Sequence, residues 1–259
     1  MQNVTSLPLA AGAVLFIGAI VALAMLGAVL VHRLVRHDVL VVHNEIAGFI
    51  LAVIGVVYAV LLAFLAIGVW ERFEGAEQRT YEEANQLSVL YRRADEFSDF
   101  HVIRAELKHY ARAVITDEWP KMAHGESSAD AGTTLERIAY QVRHLQIRSM
   151  GEQNGQSAML QALSVIETDR DDRLSMGATG INTFLWTVLA LGGVVTIGFT
   201  YLFAFENIPL QVTMIGALAF ALALVLYLIA ALDFPFRGEV SVTPEAFRNA
   251  LANFGAIGS

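Results

Sequence analysis

Four stretches of this sequence carry no Asp, Glu, Lys or Arg: residues 9–31, 46–70, 181–205 and 208–232. Each is longer than the roughly 20 residues a helix needs to cross a bilayer. A surface helix of a soluble domain keeps a polar face, and these runs have none. Lipid offers the backbone no hydrogen-bond partners, so closed helices are the spanning form they predict. Only 16% of the chain is charged, and the shortfall falls in these runs. The first run has no basic residue ahead of it and exceeds a signal core of about 7–15 residues, so it is expected to be retained as a helix.

The fold class expected is all-α, with four transmembrane helices and a helical bundle inserted between the second and third. The divisions are 1–70 for the first two spans, 71–180 for the bundle, 181–232 for the last two spans and 233–259 for a tail. Near-helical recurrence of Phe73, Ala76, Ala84, Leu87, Tyr91 and Ala94 predicts that the second span runs unbroken into the bundle. A second bundle helix is expected from about Phe100 to Trp119, ending at Pro120. "HGESSADAG" (124–132) reads as a loop, and Thr133 with Glu136 offers a capping box that opens a third helix. "GEQNGQ" (151–156) is expected to break that helix before a fourth begins. In the tail, "GEVSV" is the one stretch with strand character.

Several function classes drop out. There is no cysteine, hence no disulfide, thiolate metal site or thiol nucleophile. A net charge of -8 argues against a nucleic-acid partner. No phosphate-binding glycine loop, zincin motif or EF-hand loop is present. The histidines show no i, i+4 pairing and read as surface or packing residues. "DRDDR" (169–173) reads as a solvated, salt-bridged helix end, because adjacent residues do not share a helix face. "LGGV" is too short to carry a motif. No catalytic role is expected.

The second span carries two stripes. Gly48, Ala52, Gly55, Ala59, Ala63 and Ala66 form a small-residue stripe of the kind that lets helices approach closely in lipid. Phe49, Val53, Val56, Val60 and Phe64 form an apolar stripe beside it. By spacing, the second is either a packing or lipid-facing stripe or a hydrophobic constriction lining a pore. Asn44 and Glu45 stand at the start of this helix. An acid there is stabilised by free backbone N–H groups, or it contributes to a ring at an outer pore mouth. Arg72, Arg79, Arg170, Arg173, Arg237 and Arg248 lie on the bundle side of the spans, against Arg33 and Arg36 on the other. The positive-inside rule then puts the bundle and both termini in the cytoplasm of a cell-membrane protein.

Two motifs stand at the bundle ends of the second and fourth spans, "LLAFLAIGVWERFEG" (61–75) and "LDFPFRG" (232–238). Together they resemble the bestrophin family of anion channels, most closely its prokaryotic bestrophin-like branch of unknown function. Phe64, Trp70, Glu71, Arg72 and Phe73 fall on the family's pattern after the second span, with Glu74-Gly75 following. Asp233, Pro235, Phe236 and Gly238 fall on its acid, Pro-Phe and Gly after the fourth. "HNEIAGFILAVIGVVYAV" and "EWPKM" are similar as well. The resemblance implies a homo-oligomer, a pentamer in the family, whose second helices build a hydrophobic neck, here Val56, Val60 and Phe64. The polar step after the family's neck Phe is replaced by Leu65-Ala66-Ile67. The acidic calcium clasp of animal bestrophins has no counterpart in "RGEVSVTPEAF", which offers only Glu239 and Glu245, so no calcium or other cofactor is expected. Three functions stay open: an anion channel, as the resemblance implies; a cation pore on the same scaffold, favoured by Glu45 and the acidic balance; and a non-conducting membrane scaffold whose bundle binds a partner. Asp233 is expected to cap a helix or pair with a base such as Arg72.

Overall fold

The computed structural model describes residues 9–34, 44–97, 100–203 and 207–256. Nine α-helices carry these segments, and no strand occurs among the described residues: α1 (Leu9–Leu34), α2 (Asn44–Arg93), α3 (Phe100–Ala113), α4 (Trp119–Met122), α5 (Ala129–Arg143), α6 (Met150–Ala178), α7 (Thr183–Thr200), α8 (Ile208–Leu232) and α9 (Glu245–Ala256). A 3-10 turn, Ala94–Glu96, follows α2, and a π turn, Val114–Glu118, joins α3 to α4. Four helices, within Ala10–Leu34, Ile46–Glu96, Thr183–Thr200 and Ile208–Leu232, are long and apolar enough to cross a membrane. The chain is a multi-pass membrane protein.

The chain divides into two compact units. The first comprises residues 1–71, 181–233 and 238–240, and holds α1, the opening half of α2, α7 and α8. Its helices approach on small residues, as apolar helices in lipid must when van der Waals contact is the main attraction. Ala24 and Ala28 of α1 meet Ile215 and Ala219 of α8. Gly27 leaves room for the Tyr201 hydroxyl, which donates to the Ala24 carbonyl at 3.0 Å. Leucines such as Leu15, Leu23 and Leu26 point outward, which suits a lipid-facing surface.

The second unit comprises residues 72–180, 234–237 and 241–259. Its core is Leu87, Leu90 and Tyr91 of α2, Ile103, Leu107 and Tyr110 of α3, Ile138 and Val142 of α5, Met159 and Ile166 of α6, and Phe247 and Phe254 of α9. The tail is therefore a working part of this core: α9 stacks Phe254 on Tyr91 at 4.1 Å and accepts the Tyr91 hydroxyl on the Phe254 carbonyl.

α2 runs unbroken for 50 residues, as the apolar recurrence predicts. Gly75 does not interrupt it, and a methyl there would meet only Met176 at ordinary contact distance, so the helix would equally accept alanine. Four local expectations are corrected. The second bundle helix does not end at Pro120. The π turn widens the helix just before it, and Pro120 then sits in the first turn of α4, where its missing N–H is not needed. α5 opens at Ala129, capped by Ser128, whose Oγ accepts the Ala131 N–H at 3.1 Å. Thr133 lies inside that helix and bonds back to the Ala129 carbonyl. "GEQNGQ" breaks nothing. Ser149 caps α6 ahead of it, and Gly155 is tolerated because α6 passes against Glu96 and Phe97 there with no room for a Cβ. "GEVSV" forms bends.

Ser128→Ala is expected to cost the folded chain about 1 kcal/mol, and Thr133→Ala under about 0.5 kcal/mol. Denaturant titration of the full chain in micelles, followed by circular dichroism, reads both; the reverse order would restore Thr133 as the cap.

Candidate functional site

At about 100° per residue, Val56, Val60 and Phe64 lie within about 80° of one another on α2. All three are exposed in the single chain, Phe64 at 70%. Three residues of the apolar half of α2 are buried: Tyr58, Leu62 and Val69. On the same wheel these lie about 160–200° from the centre of the stripe. The chain thus holds α2 by the back and leaves the Val56–Val60–Phe64 face open. Phe49 and Val53 continue that open face toward the start of the helix, while Ala52, Ala59 and Ala63 are open beside it.

Tyr58 makes the hold specific. Its hydroxyl donates to the Leu189 carbonyl of α7 at 2.8 Å, which satisfies a polar group inside an apolar unit. Its ring fills a slot made by the absent side chains of Gly192 and Gly193. A Cβ on Gly192 would fall 2.5 Å from the ring, and one on Gly193 3.1 Å from the hydroxyl oxygen. "LGGV", read in sequence as carrying nothing, is this slot. An interior tyrosine in one span and a glycine pair in another were the available signal; no spacing rule connects them.

Asn44 and Glu45 open α2, but their side chains lie outside the described residues. At the other end of the apolar half, Trp70 is half exposed and Glu71 is exposed. Arg72 donates to the Thr179 carbonyl, to Thr179 Oγ1 at 2.5 Å and to the Met176 carbonyl at 3.4 Å, so it closes the end of α6. Asp233, buried at the end of α8, accepts the Ile181 N–H at 2.5 Å and the Trp186 indole N–H at 3.3 Å. Asp233 and Arg72, offered above as a possible pair, each have hydrogen-bond partners within their own unit. The carboxylate takes a backbone N–H just ahead of α7 and an indole N–H from within it, while Asn182 caps that helix; the guanidinium takes carbonyls at the end of α6, which is what a cation meets at a helix C-terminus.

The two boundary motifs still meet, through aromatics. Phe73 and Phe236 belong to one apolar cluster with Ala76, Met122 and Val242. Trp119 stands edge-on to Phe236 at 5.5 Å and donates its indole N–H to the Val242 carbonyl. Pro235 ends the apolar run, and its carbonyl accepts the Val242 N–H at 2.8 Å. Arg237 lies over the Phe234 ring at 4.1 Å and donates to the Gly177 carbonyl. Gly238 has φ of 79°, a left-handed conformation that favours glycine.

The sequence profile of the Bestrophin-like domain matches residues 18–247. The chain belongs to the Bestrophin-like family. A bacterial bestrophin homologue from Klebsiella pneumoniae, solved as a point variant, aligns with TM-score 0.69 and 12% identity over 94% of this chain and 99% of that one. Another structure of the Klebsiella homologue gives TM-score 0.66 and 12% identity over 92% and 97%. A crystal structure of a membrane protein, also a point variant, gives 0.68 and 14% over 93% and 98%. At these identities the likeness is one of fold. No curated protein matches the sequence.

Beside the matched motifs, this bestrophin-like chain buries an ion cluster in its second unit. Arg173 grips Glu83 with two bonds, at 2.8 and 3.1 Å, and reaches Glu118 at 2.8 Å. Arg170 takes the other Glu118 oxygen at 2.6 Å, and Tyr110 donates to Glu83 at 2.6 Å. Two acids thus meet two guanidiniums, so the buried charge balances. Burial alone would raise the Glu118 carboxyl; Arg173 and Arg170 outweigh it and hold it below the ordinary range. Asp169, with one exposed arginine for a partner, goes the other way: burial raises it, and Arg79 at 2.9 Å offsets only part. "DRDDR" is therefore corrected from a solvated helix end. Asp169 and Arg173 stand four residues apart, on the core face of α6 with Ala162 and Ile166, while Asp171 faces solvent. That i, i+4 spacing was the signal, hidden by the charges between. Among the described residues no three metal-ligating side chains converge.

Glu118→Ala takes the carboxylate partner from Arg170 and one of two carboxylate partners from the buried Arg173, and is expected to cost about 3–5 kcal/mol of stability. The lowered carboxyl also sets a sign. Its contribution is full above the ordinary glutamate range and fades as pH falls through the folded-state value. Denaturant titrations of wild type and variant across acid pH should converge as pH falls; a constant gap would remove Glu118 from the balance.

Proposed function

We propose that this chain is one subunit of an oligomeric bestrophin-type channel whose α2 helices surround a hydrophobic neck formed by Val56, Val60 and Phe64. The observation that carries this reading is the orientation of α2, held by Tyr58, Leu62 and Val69 and open on the opposite face. A face left open by its own chain is available to copies of itself around an axis, and an apolar constriction there gates water and ions by dewetting. Family membership supports a homo-oligomer, a pentamer in this reading, and small anions as the permeant species. The boundary residues Trp70, Glu71, Arg72, Phe73, Asp233, Pro235, Phe236 and Gly238 brace the helix ends and do no chemistry. Arg170 and Arg173 are taken up in the ion cluster. A cytoplasmic bundle with both termini inside then rests on Arg72, Arg79, Arg237 and Arg248 against Arg33 and Arg36. No cofactor is proposed.

A cation-selective pore is the second reading. It is favoured by Glu45 at the start of α2 and by the lack of any Lys or Arg in residues 46–70.

Purified protein in planar bilayers under asymmetric salt is expected to reverse near the anion equilibrium potential. Reversal near the cation potential would establish the second reading. A silent bilayer with a sealed central axis would leave a membrane scaffold whose bundle binds a partner. Phe64→Ala is expected to raise single-channel conductance by widening the neck; an unchanged conductance would take Phe64 off the pore.

A further inference from the structure

Helices that meet only through apolar side chains can turn and slide, because methyl groups carry no direction. A hydrogen bond and a shaped slot do carry one. Among the buried residues of the apolar half of α2, Tyr58 has both: a 2.8 Å bond to the Leu189 carbonyl and a ring seated where Gly192 has no Cβ. Leu62 and Val69 supply burial without direction. Tyr58 also lies between Val56 and Val60 in sequence and about 160° from the centre of their stripe on the helix wheel. Any rotation of α2 that turns the stripe must pull Tyr58 from its slot.

We propose that Tyr58 is the positioning residue of the conduction path: its seat against Leu189, Gly192 and Gly193 fixes the rotation of α2 and so the aim of Val56, Val60 and Phe64. The inference rests on the channel reading above and adds to it the element that sets the aperture. Tyr58 touches no permeating ion. It acts through α2 alone.

α7 supplies its own control. Gly192 faces the Tyr58 ring, whereas Gly198 in the same helix has nothing within 4 Å of where a Cβ would stand. Gly192→Ala and Gly198→Ala are thus the same chemical change in one helix, and only the first blocks the slot. The chain lacks cysteine, so thiols introduced as Val60→Cys on α2 and Leu191→Cys on α7 can carry the only spin labels. Labelled subunits are diluted with unlabelled ones and reconstituted in bilayer discs, and the label-to-label distance is read by pulsed electron resonance. Single-channel conductance is read on the same variants without labels.

Gly192→Ala is expected to shift the distance and change conductance several-fold, with Gly198→Ala matching wild type in both. Tyr58→Phe keeps the ring, deletes only the hydroxyl and is expected to fall between them; it decides the matter if Gly192→Ala does not fold. A conducting wild type with unchanged distance and conductance in Gly192→Ala and Tyr58→Phe would overturn the proposal. So would a shifted distance with unchanged conductance, which would leave Tyr58 a packing residue. A silent wild type would instead fail the channel reading itself, whatever the labels report.

Discussion

A helix in lipid can be held by its own chain on one side only if something on that side gives it a direction. In α2 this is Tyr58, whose hydroxyl has a carbonyl to bond and whose ring has a pair of glycines to lie against. Leaving that hydroxyl unpaired in an apolar unit would cost about 1–3 kcal/mol, so the bond is kept and the rotation of α2 is kept with it. The open face of Val56, Val60 and Phe64 is the consequence. The same device recurs on α1, where Gly27 admits the Tyr201 hydroxyl to the Ala24 carbonyl. Tyrosine against glycine is how this bestrophin-like chain gives direction to contacts that are otherwise methyl on methyl.

In the second unit the direction comes from charge. Glu83 of α2, Glu118 of the π turn and Arg170 and Arg173 of α6 neutralise one another out of water, with Tyr110 of α3 completing the donors. Such a cluster adds little net stability over an apolar core of the same size, but it tolerates no mispairing. That explains why the elements around it take unusual forms. The π turn aims Glu118 inward, and Pro120 follows where a regular helix would have clashed. α9 then covers the cluster's neighbours, with Trp119 between Phe236 and Phe247.

The spans, the unbroken α2 and the all-helical class were legible because they rest on composition and on a recurrence that one strand of sequence contains. The open stripe was legible as a stripe, and its orientation was not, because orientation depends on what Tyr58 meets in α7 some 130 residues away. Caps and breaks failed where two local signals competed. Thr133 read as the cap of α5 and Ser128 as part of the loop before it, whereas the helix starts one turn earlier, on Ser128. Glycines 151 and 155 read as a break, because in sequence a glycine that admits a close neighbour looks like a glycine that ends a helix. "DRDDR" hid its buried pair among exposed acids. The boundary motifs were legible as two motifs, and what joins them was not: Phe73 and Phe236 pack into one apolar cluster with Ala76, Met122 and Val242.

The account turns on whether the face opposite Tyr58 lines a water-filled path. The absence of cysteine allows single thiols to be placed along α2 and challenged with a charged, water-soluble thiol reagent while current is recorded. The account predicts that Val56→Cys, Val60→Cys and Phe64→Cys react and lose current, while Leu51→Cys and Leu65→Cys, about 180° and 140° from the centre of that stripe on the helix wheel, do not. Equal reaction around the helix, or reaction confined to the other positions, would contradict it.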